Sequence, residues 1–400
     1  MQFTLTGAHV QHQAQQLLAD ELRLHDHGRC CPVRTLLAVV FAACCRLSSL
    51  FAAARRLAGA PSHETVRQAL LTNLPELDVL ERRLNRALAA GLPRRLRRRR
   101  QDLAVDLTLV PYHGQPEEDP GELVRGQAKS GTTHFHAYAT AYLVMRGQRF
   151  TLALTYVRLG EKSEEVLRRL LRRCAHLGVR PRLLLLDRGF WAVGVLRYLR
   201  AARYPFLMPV IARGRRADHP KGAGGTRVFW GWRRGGFGEY TLQETGNGRK
   251  ATVPICVHIR PRAGRRGKHG LEHLVYAYWG WRPSSPRAAS ERYRGRFGIE
   301  TSYRQMNEGR VTTCSRSPAV RLFLVGVALV LRNVWVWLHH EVLSTPRRGG
   351  RRYHPERLRF KDLLLMLLHA AELALGVCDE VGTERPPPIE VGTTGRAGAG

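Results

Sequence analysis

Acidic residues are scarce in this sequence. Its 400 residues include 32 Asp and Glu against 65 Lys and Arg, which gives a formal net charge of +33 at pH 7. A charge of that size produces a positive potential over much of the surface, so cationic ligands are disfavoured and polyanions are attracted. We therefore expect a nucleic acid as the partner.

Metal-binding patterns of Cys and His are absent as well. The eight Cys form two adjacent pairs and four single residues, with no C-x2-C spacing. This excludes a zinc ribbon and does not suggest a secreted disulfide framework. The pairs His134/His136 and His339/His340 lack third and fourth ligands at a useful spacing, so they do not predict a zinc site.

Long hydrophobic runs are also missing. The longest, Thr35–Cys45 and Leu322–Leu331, fall short of the roughly 18–20 residues that a membrane-spanning helix needs. The first residues show no signal-peptide pattern. We expect a cytoplasmic, nucleoid-associated protein with no membrane partner, and the length favours more than one domain.

The first hundred residues have a helical pattern, with apolar residues recurring at intervals of three and four. Two short predicted helices, Leu47–Leu57 and His63–Leu71, are separated by a Gly- and Pro-containing break, and Ser62 is placed to cap the second. This spacing suits a helix-turn-helix, in which Arg67 and Gln68 would reach base edges in a major groove. A plain helical hairpin is the alternative.

A run of arginines between residues 94 and 100 follows these helices. Its position before the first predicted strand suggests a linker that contacts phosphates, with Arg97 and Arg98 among the contacting residues. A solvated charge run without a ligand is the alternative.

From residue 101 onward, apolar β-type segments alternate with helical segments. Helices are predicted at Ser163–Leu177 and Trp191–Ala202. Strands are predicted at Leu103–Val110, His134–Val144, Arg149–Val157, Arg182–Leu186 and Phe206–Val210. This alternation predicts a mixed α/β sheet.

Two aspartates lie on apolar strands of that sheet. Asp106 is inside Leu103–Val110, where a lone ionised carboxylate is heavily penalised and needs a cation or a partner. Asp187 closes another apolar strand, and functional groups in α/β sheets gather at the carboxyl ends of strands. Asp102, four residues before Asp106, is the nearby competitor.

A later helical segment carries a mixed stripe of acidic, basic and aromatic residues. Helical spacing places on one face Tyr293, Arg296, Glu300, Tyr303 or Arg304, and Asn307. Such a stripe is unusual for a helix that only packs in a core, so we select Glu300 as a third candidate acid.

Taken together, these motifs resemble the DDE transposases of bacterial and archaeal insertion sequences, over roughly residues 100–340. The closest correspondence is to the Y-x2-R-x3-E-x6-K helix signature of the large cut-and-paste group of the family-four type. Tyr293, Arg296 and Glu300 match it, whereas Asn307 stands where Lys is expected. Asp187-Arg-Gly-Phe resembles the second-aspartate motif, and the segment after Asp106 resembles the first.

The resemblance implies an α/β fold with a ribonuclease-H-like mixed sheet as catalytic core and a β-rich insertion before the Glu. It implies that Asp106, Asp187 and Glu300 are catalytic and bind two Mg²⁺ ions, for which Mn²⁺ can substitute, to cleave and rejoin DNA. Tyr293 and Arg296 would grip the DNA strand beside the cut. Asn307 can donate to a phosphate without supplying charge, which Arg304 or Arg310 would supply instead.

The resemblance also predicts the partners, and the changes of pattern and composition along the chain predict the order of the domains. The expected partner is double-stranded DNA with terminal inverted repeats, bound by a homodimer. The expected units are an all-α, helical DNA-binding domain (1–100), the first part of the catalytic domain (101–210), the β-rich insertion (211–285), the helical remainder of the catalytic domain (286–342), a C-terminal helical region (343–384) and a disordered tail (385–400).

Two other functions remain open at this point. A non-cleaving DNA-binding protein descended from a transposase is suggested by the replacement of Lys with Asn307, although binding alone does not need three acids. A ribonuclease-H-like nuclease that cuts without joining would share the metal chemistry. Strand-transfer products distinguish that nuclease from a transposase.

Overall fold

The computed structural model describes residues 4–114, 120–145, 149–262 and 270–378. The predicted disordered tail and the last residues of the predicted C-terminal region lie outside these ranges. Twelve helices and eleven strands are described within them.

Six helices precede the sheet: α1 (Gly7–Leu22), α2 (Val33–Arg46), α3 (Leu50–Arg55), α4 (His63–Asn73), α5 (Leu77–Ala90) and α6 (Arg94–Arg97). The helix pair that the sequence predicts around Ser62 is present as α3 and α4. Ser62 caps α4, because its hydroxyl accepts a hydrogen bond from the Thr65 backbone N–H at 3.2 Å.

The sheet contains nine strands: β1 (Gln101–Pro111), β2 (Val124–Lys129), β3 (Thr132–Leu143), β4 (Thr151–Val157), β5 (Pro181–Leu186), β6 (Phe206–Pro209), β7 (Gly236–Gln243), β8 (Lys250–Pro261) and β9 (Leu271–Trp279). Their order is β2-β3-β1-β5-β6-β9-β8-β7, and β4 also pairs with β3. Strands β1, β3 and β4 are antiparallel neighbours, whereas β5 and β6 run parallel to β1. The predicted mixed sheet is therefore confirmed.

Strands β7 to β9 come from the predicted β-rich insertion, and they extend the central sheet. Strand β9 pairs antiparallel with β6, from Phe206 opposite Trp279 to Pro209 opposite Tyr276. Strands β8 and β7 continue outward from β9. The insertion is thus joined to the rest of the sheet by backbone hydrogen bonds.

The remaining helices are α7 (Ser163–His176), α8 (Val193–Ala201), α9 (Pro286–Arg294), α10 (Gly298–Glu308), α11 (Pro318–Leu338) and α12 (Phe360–Leu375). A small hairpin, β10 (Thr345–Arg347) and β11 (Gly350–Arg352), lies between α11 and α12. The segment Pro318–Leu343 is long and apolar enough to cross a membrane, but 89% of its apolar window is buried inside the protein. It packs as a core helix.

Residues from both ends of the chain share one hydrophobic core. Helices α1 to α5 pack with α11 and α12, and the core they form includes Val40, Leu84, Val327 and Leu367, all fully buried. The first helices and the last helix therefore belong to one helical body, here defined as α1 to α5, α11 and α12.

The two faces of the sheet pack against different helices, which decides where the acids point. On β1, Leu103 and Val105 join the core beneath α7 and α8. Ala104 faces the opposite side, in a smaller core that includes Tyr293 and Ile299. Because strand side chains alternate, Asp106 points to the same face as Ala104, toward α9 and α10.

Buried asparagines complete the backbone hydrogen bonding of β4 where it meets the helices. The Asn333 side chain accepts from Thr151 N at 2.9 Å and donates to Thr151 O at 2.8 Å. Asn85 makes the same pair of bonds to Leu154, at 2.8 and 2.7 Å. The two amides make the backbone hydrogen bonds that a neighbouring strand would otherwise make. They are needed because buried backbone groups without partners are costly.

Candidate active site

The two aspartates of the candidate site are brought together by the parallel pairing of β1 and β5. Val105 lies opposite Leu186 in this register, so Asp106 and Asp187 follow side by side on adjacent strands. Asp187 then begins a single turn of 3-10 helix, and its Oδ2 accepts from Gly189 N at 3.4 Å. The turn holds Asp187 at the carboxyl edge of the sheet.

Glu300 reaches the site from a broken helix. The sequence predicts one continuous helix through this region, but α9 and α10 are separated by a 3-10 turn over residues 295–297. Gly298 starts α10 because it packs directly on β3. A Cβ atom there would lie 2.4 Å from Tyr142 Oη and 3.0 Å from Arg149 Cζ. The glycine at residue 298 therefore permits close contact with the sheet.

Arg296 lies among all three candidate acids. Its Nη1 donates to Asp106 Oδ2 at 2.8 Å, and its Nη2 lies 3.6 Å from Asp187 Oδ1 and 3.5 Å from Glu300 Oε1. The Arg296 side chain is 8% exposed, against 12% for Asp106, 29% for Asp187 and 60% for Glu300. One guanidinium thus contacts three acids that range from buried to exposed.

Asp106 is held from several sides. Its Oδ1 accepts from Leu107 N at 2.9 Å, and its backbone carbonyl accepts from the Tyr303 hydroxyl at 3.0 Å. Burial raises the pKa of Asp106 to about 6, while Arg296 opposes that increase and the charge of Asp187 adds to it. The cation that the sequence requires for Asp106 is supplied here by Arg296.

The donor set suits a hard divalent cation, because Mg²⁺ and Mn²⁺ prefer carboxylate oxygens. The spacing of the acids is set by the guanidinium between them. Among the residues that the structure describes, no three Asp, Glu, His or Cys side chains are grouped closely enough to hold one metal ion. The carboxylate oxygens are chemically suited to Mg²⁺ or Mn²⁺. In this structure the Arg296 guanidinium lies between the carboxylates, where the positive charge of such an ion would be.

Tyr293 lies beneath this cluster. Its hydroxyl donates to Leu186 O at 3.0 Å, one residue before Asp187, and its ring is 5.4 Å from the Arg296 guanidinium. Burial raises the pKa of Tyr293 well above its ordinary value. Tyr293 and Arg296 are thus both buried here, and the DNA contact expected of them stays a prediction.

The competing aspartate, Asp102, belongs to a different pair of contacts. Arg182 Nε donates to its Oδ1 at 2.7 Å, and Arg292 pairs with its other oxygen. Arg292 and Arg296 are four positions apart, about one helical turn. Asp102 and Asp106 are also four positions apart, on the strand. Two Arg–Asp pairs therefore attach α9 and the following turn to β1, and only the second includes the candidate acids.

The other predicted DNA contacts lie outside the carboxylate cluster. Arg304 and Asn307 are exposed on α10, and Arg310 donates to Asn307 Oδ1 at 3.3 Å. On α4, Glu64 accepts from both Arg67, at 2.7 Å, and Gln68, at 3.0 Å. The basic run is divided, because Arg97 is half-buried and donates to Ala89 O at 3.0 Å while Arg98 is exposed.

Sequence reasoning missed two tyrosines that support the site. Tyr303 bridges the Asp106 carbonyl and the Thr140 hydroxyl, at 3.0 and 2.8 Å. Helical spacing alone had left Tyr303 and Arg304 as alternatives on the stripe. The buried hydroxyl of Tyr142 has no hydrogen-bond partner in the described part of the chain. No local signal marks Tyr142, since its position beside Gly298 depends on packing between distant segments.

Comparison with known proteins gives a family and a structural similarity. The family model described as the transposase DDE domain matches residues 97–332, which is more than half of the chain. The structure is similar to that of a piggyBac transposase, solved by cryo-EM as a synaptic complex with hairpin DNA. The TM-score is 0.53 at 10% identity, covering 86% of this chain and 72% of that chain. At this identity the likeness concerns the fold alone. No curated protein matches the sequence.

Proposed function

The chain belongs to the transposase DDE-domain family, and we propose that it cleaves DNA at the ends of a mobile element and joins those ends to target DNA. The observation that carries this proposal is the meeting of Asp106, Asp187 and Glu300 around one positive charge. They come from two neighbouring strands and a helix that crosses them, as a phosphoryl-transfer site requires.

In the proposed active state, Asp106, Asp187 and Glu300 hold two Mg²⁺ ions. When bound, such ions activate the attacking oxygen and stabilise the leaving oxygen of the scissile phosphate. Arg296 has to turn away from the acids to admit them, because its guanidinium lies between the three carboxylates. Leaving the acids also frees Arg296 to contact the DNA backbone, as the helix signature implies.

The surrounding residues position the acids for this chemistry. Tyr303 and Leu107 fix Asp106, and the turn after β5 fixes Asp187. Glu300 is mostly exposed, so it is the acid with most freedom to adjust when DNA and metal arrive. The rigid pair and the adjustable third acid together allow two successive reactions at one site.

A ribonuclease-H-like core is part of the proposal. The strand order β4-β3-β1-β5-β6, with three antiparallel strands followed by two parallel ones, supports it. The insertion between β6 and α9 lies before the helix that carries Glu300, which agrees with the cut-and-paste group suggested by the helix signature.

The proposed partner is double-stranded DNA with terminal inverted repeats, bound by a homodimer. The net charge of +33 supports a polyanionic partner, and the similar piggyBac structure is itself a complex with hairpin DNA. Exposed Arg98, Arg304 and Asn307 are proposed as phosphate contacts. Arg67 and Gln68, exposed on α4, are proposed to read base edges.

The test uses purified full-length protein, DNA carrying the inverted repeats that flank the gene, and Mg²⁺. We expect cleavage at the repeat boundary followed by joining to a target plasmid. Asp187→Asn should reduce both by about a hundredfold or more, because removing even an outer-shell partner of a metal ligand typically costs about 10–100-fold. Asp218→Asn, at an exposed position in the insertion, is the matched control and should retain activity.

Each other result points to a different function. Salt-sensitive DNA binding without metal-dependent cleavage would favour the non-cleaving DNA-binding protein. Cleavage without joined products would favour a nuclease. Equal cleavage by the wild-type protein and Asp187→Asn would overturn the assignment of the site.

A further inference from the structure

A large cavity lies beside α10, the helix that carries Glu300. It has a volume of about 630 Å³, within the range of about 300–1,000 Å³ found for ligand pockets. Thr301 and Gln305 of α10 form one wall, and α11 and the segment around the β10–β11 hairpin form the others. Since Thr301 follows Glu300 directly, the cavity and Glu300 share one helix.

Five arginines line this cavity, and no acidic residue does: Arg149, Arg332, Arg347, Arg351 and Arg352. We call it the arginine pocket. Among the described residues, none of the five forms an ion pair with a carboxylate. The lining of the pocket thus carries an excess of positive charge.

Arg332 shows that the pocket is built into the fold. It is 2% exposed, and its hydrogen-bond partners are uncharged: Nη1 donates to Arg149 O at 2.7 Å and Nε to Gln305 Oε1 at 3.1 Å. A buried charge without a counterion is costly. Burial lowers the pKa of Arg332 only to about 10, so it stays charged at neutral pH. An anion in the pocket would compensate this cost.

Aromatic rings accompany the arginines. Trp335 is held in place, because its Nε1 donates to Leu358 O at 3.0 Å and its ring packs edge-on against His339 at 4.8 Å. Tyr353, on the segment after β11, lines the same cavity. Aromatic faces combined with a basic groove are the usual surface for unpaired nucleotides, since bases stack and phosphates bind the arginines.

We propose that the arginine pocket binds an unpaired stretch of a DNA strand, with phosphates against the arginines and a base against Trp335. The occupant is a single strand because a base can stack on an aromatic face only when it is unpaired, and the lining combines Trp335 and Tyr353 with arginines. This proposal rests on the proposed function, since the strand reaches the pocket from a DNA end placed at Glu300. The pocket would then hold the end while the acids act on it.

The test measures DNA binding in EDTA, where cleavage cannot occur, so its outcome does not depend on catalysis. Fluorescence anisotropy compares a blunt duplex with the same duplex carrying a single-stranded extension, and deoxynucleoside monophosphates serve as competitors. The variant is R347Q/R352Q, which changes two exposed side chains of the hairpin. The control is R233Q/R234Q, which removes the same charge from exposed positions of the insertion.

We expect R347Q/R352Q to lose about tenfold in affinity for the extended duplex, with the slope of log affinity against log salt reduced by about two. Its affinity for the blunt duplex should change no more than that of the control. Equal losses in both variants on both DNAs would overturn the proposal. Displacement by monophosphates alone, with no advantage of the extension, would identify a free-nucleotide site instead.

A second readout does not depend on substitution. An extension containing 5-iodouracil, irradiated in the complex with wild-type protein, should cross-link to peptides containing Trp335 or Tyr353. Cross-links confined to other peptides would overturn the proposal. If cross-links form in the pocket while the Mg²⁺ reaction yields no cleavage, the pocket stands and the transposase function fails.

Discussion

The Arg296 guanidinium donates to Asp106 at 2.8 Å while it also contacts Asp187 and Glu300. A residue that the helix signature assigns to DNA is therefore a counterion of the three acids in this structure. A divalent cation entering the site would compete with this side chain. The arrangement makes the proposed metal site dependent on the position of one arginine.

Arg296→Gln should bind Mn²⁺ more tightly than the wild-type protein in the absence of DNA. We expect the dissociation constant to fall by about tenfold, equal to about 1.4 kcal/mol, because the competing positive charge is gone. Electron paramagnetic resonance of free Mn²⁺ measures it directly. DNA cleavage should decrease in the same variant, since the proposed contact to the DNA backbone is lost.

Arg292→Gln is the matched control for this experiment. Arg292 lies one turn earlier and pairs with Asp102, which keeps Arg182 as a second partner. Its Mn²⁺ affinity should equal that of the wild-type protein. If Arg296→Gln also left the affinity unchanged, Arg296 would not compete with the metal.

Gly298→Ala should lower the free energy of unfolding by about 1–3 kcal/mol and reduce cleavage. Its new methyl group would lie 2.4 Å from Tyr142 Oη, so α10 has to move away from β3 and take Glu300 with it. Urea denaturation and the cleavage assay measure the two effects. Gly231→Ala, where a Cβ atom meets nothing within 4 Å, should change neither.

Removing the Tyr142 hydroxyl should partly restore the Gly298→Ala protein. This hydroxyl has no hydrogen-bond partner in the described part of the chain, so Tyr142→Phe loses little by itself. The double variant G298A/Y142F should therefore be more stable than G298A. Additive effects of the two substitutions would contradict the predicted contact.

Asn333→Leu should destabilise the protein by about 3 kcal/mol or more. Its amide serves Thr151 N, Thr151 O and Leu88 O, all within 2.9 Å, and leucine would leave these buried groups unpaired. Urea denaturation followed by circular dichroism is the measurement. A change below about 0.5 kcal/mol would show that water or another donor replaces the amide.

The free energy of unfolding should decrease as the pH falls below 6.5, because His136 is buried. Burial first, and then Arg321, lowers the pKa of His136 from 6.5 to about 4 in the folded protein. The unfolded chain therefore takes up a proton in this range before the folded chain does. The stabilisation is present above pH 6.5 and is lost as the pH falls through about 4, an effect of about 3 kcal/mol.

His136→Phe should flatten this dependence between pH 6.5 and 4. The substitution keeps a ring against Tyr112, whose ring centroid is 5.2 Å away, and the His136 Nε2 that it removes has no hydrogen-bond partner among the described residues. Thermal denaturation at several pH values is the test. Parallel profiles of variant and wild type would show that His136 does not contribute.

Local patterns were enough to predict the strands that carry Asp106 and Asp187. The apolar segments containing them are strands β1 and β5, with bounds differing by one or two residues. The spacing of Arg296 and Glu300 likewise placed both on one helical stripe. These predictions succeed because hydrophobic periodicity depends on neighbours in the sequence.

Contacts between distant segments could not be predicted in the same way. Helical spacing shows that Arg296 is near Glu300, but the position of Arg296 beside Asp106 depends on how the helix crosses β1. The arginine pocket combines Arg149 with Arg352, about half the chain apart. The shared core of the first and last helices is also not encoded in any local pattern, and the domain boundaries inferred from composition stay predictions.

The pairing of β6 with β9 has a mechanical consequence. Strand β6 borders β5, which leads directly into Asp187, and β9 leads within a few residues into α9 and then to Glu300. Force applied to the outer strands β7 and β8 would therefore reach both acids, through the β6–β9 pair and through the packing of β8 against α9. If DNA pulled on these outer strands, the helix that carries Glu300 would shift relative to β5. The distance between Asp187 and Glu300 would then change with the applied force.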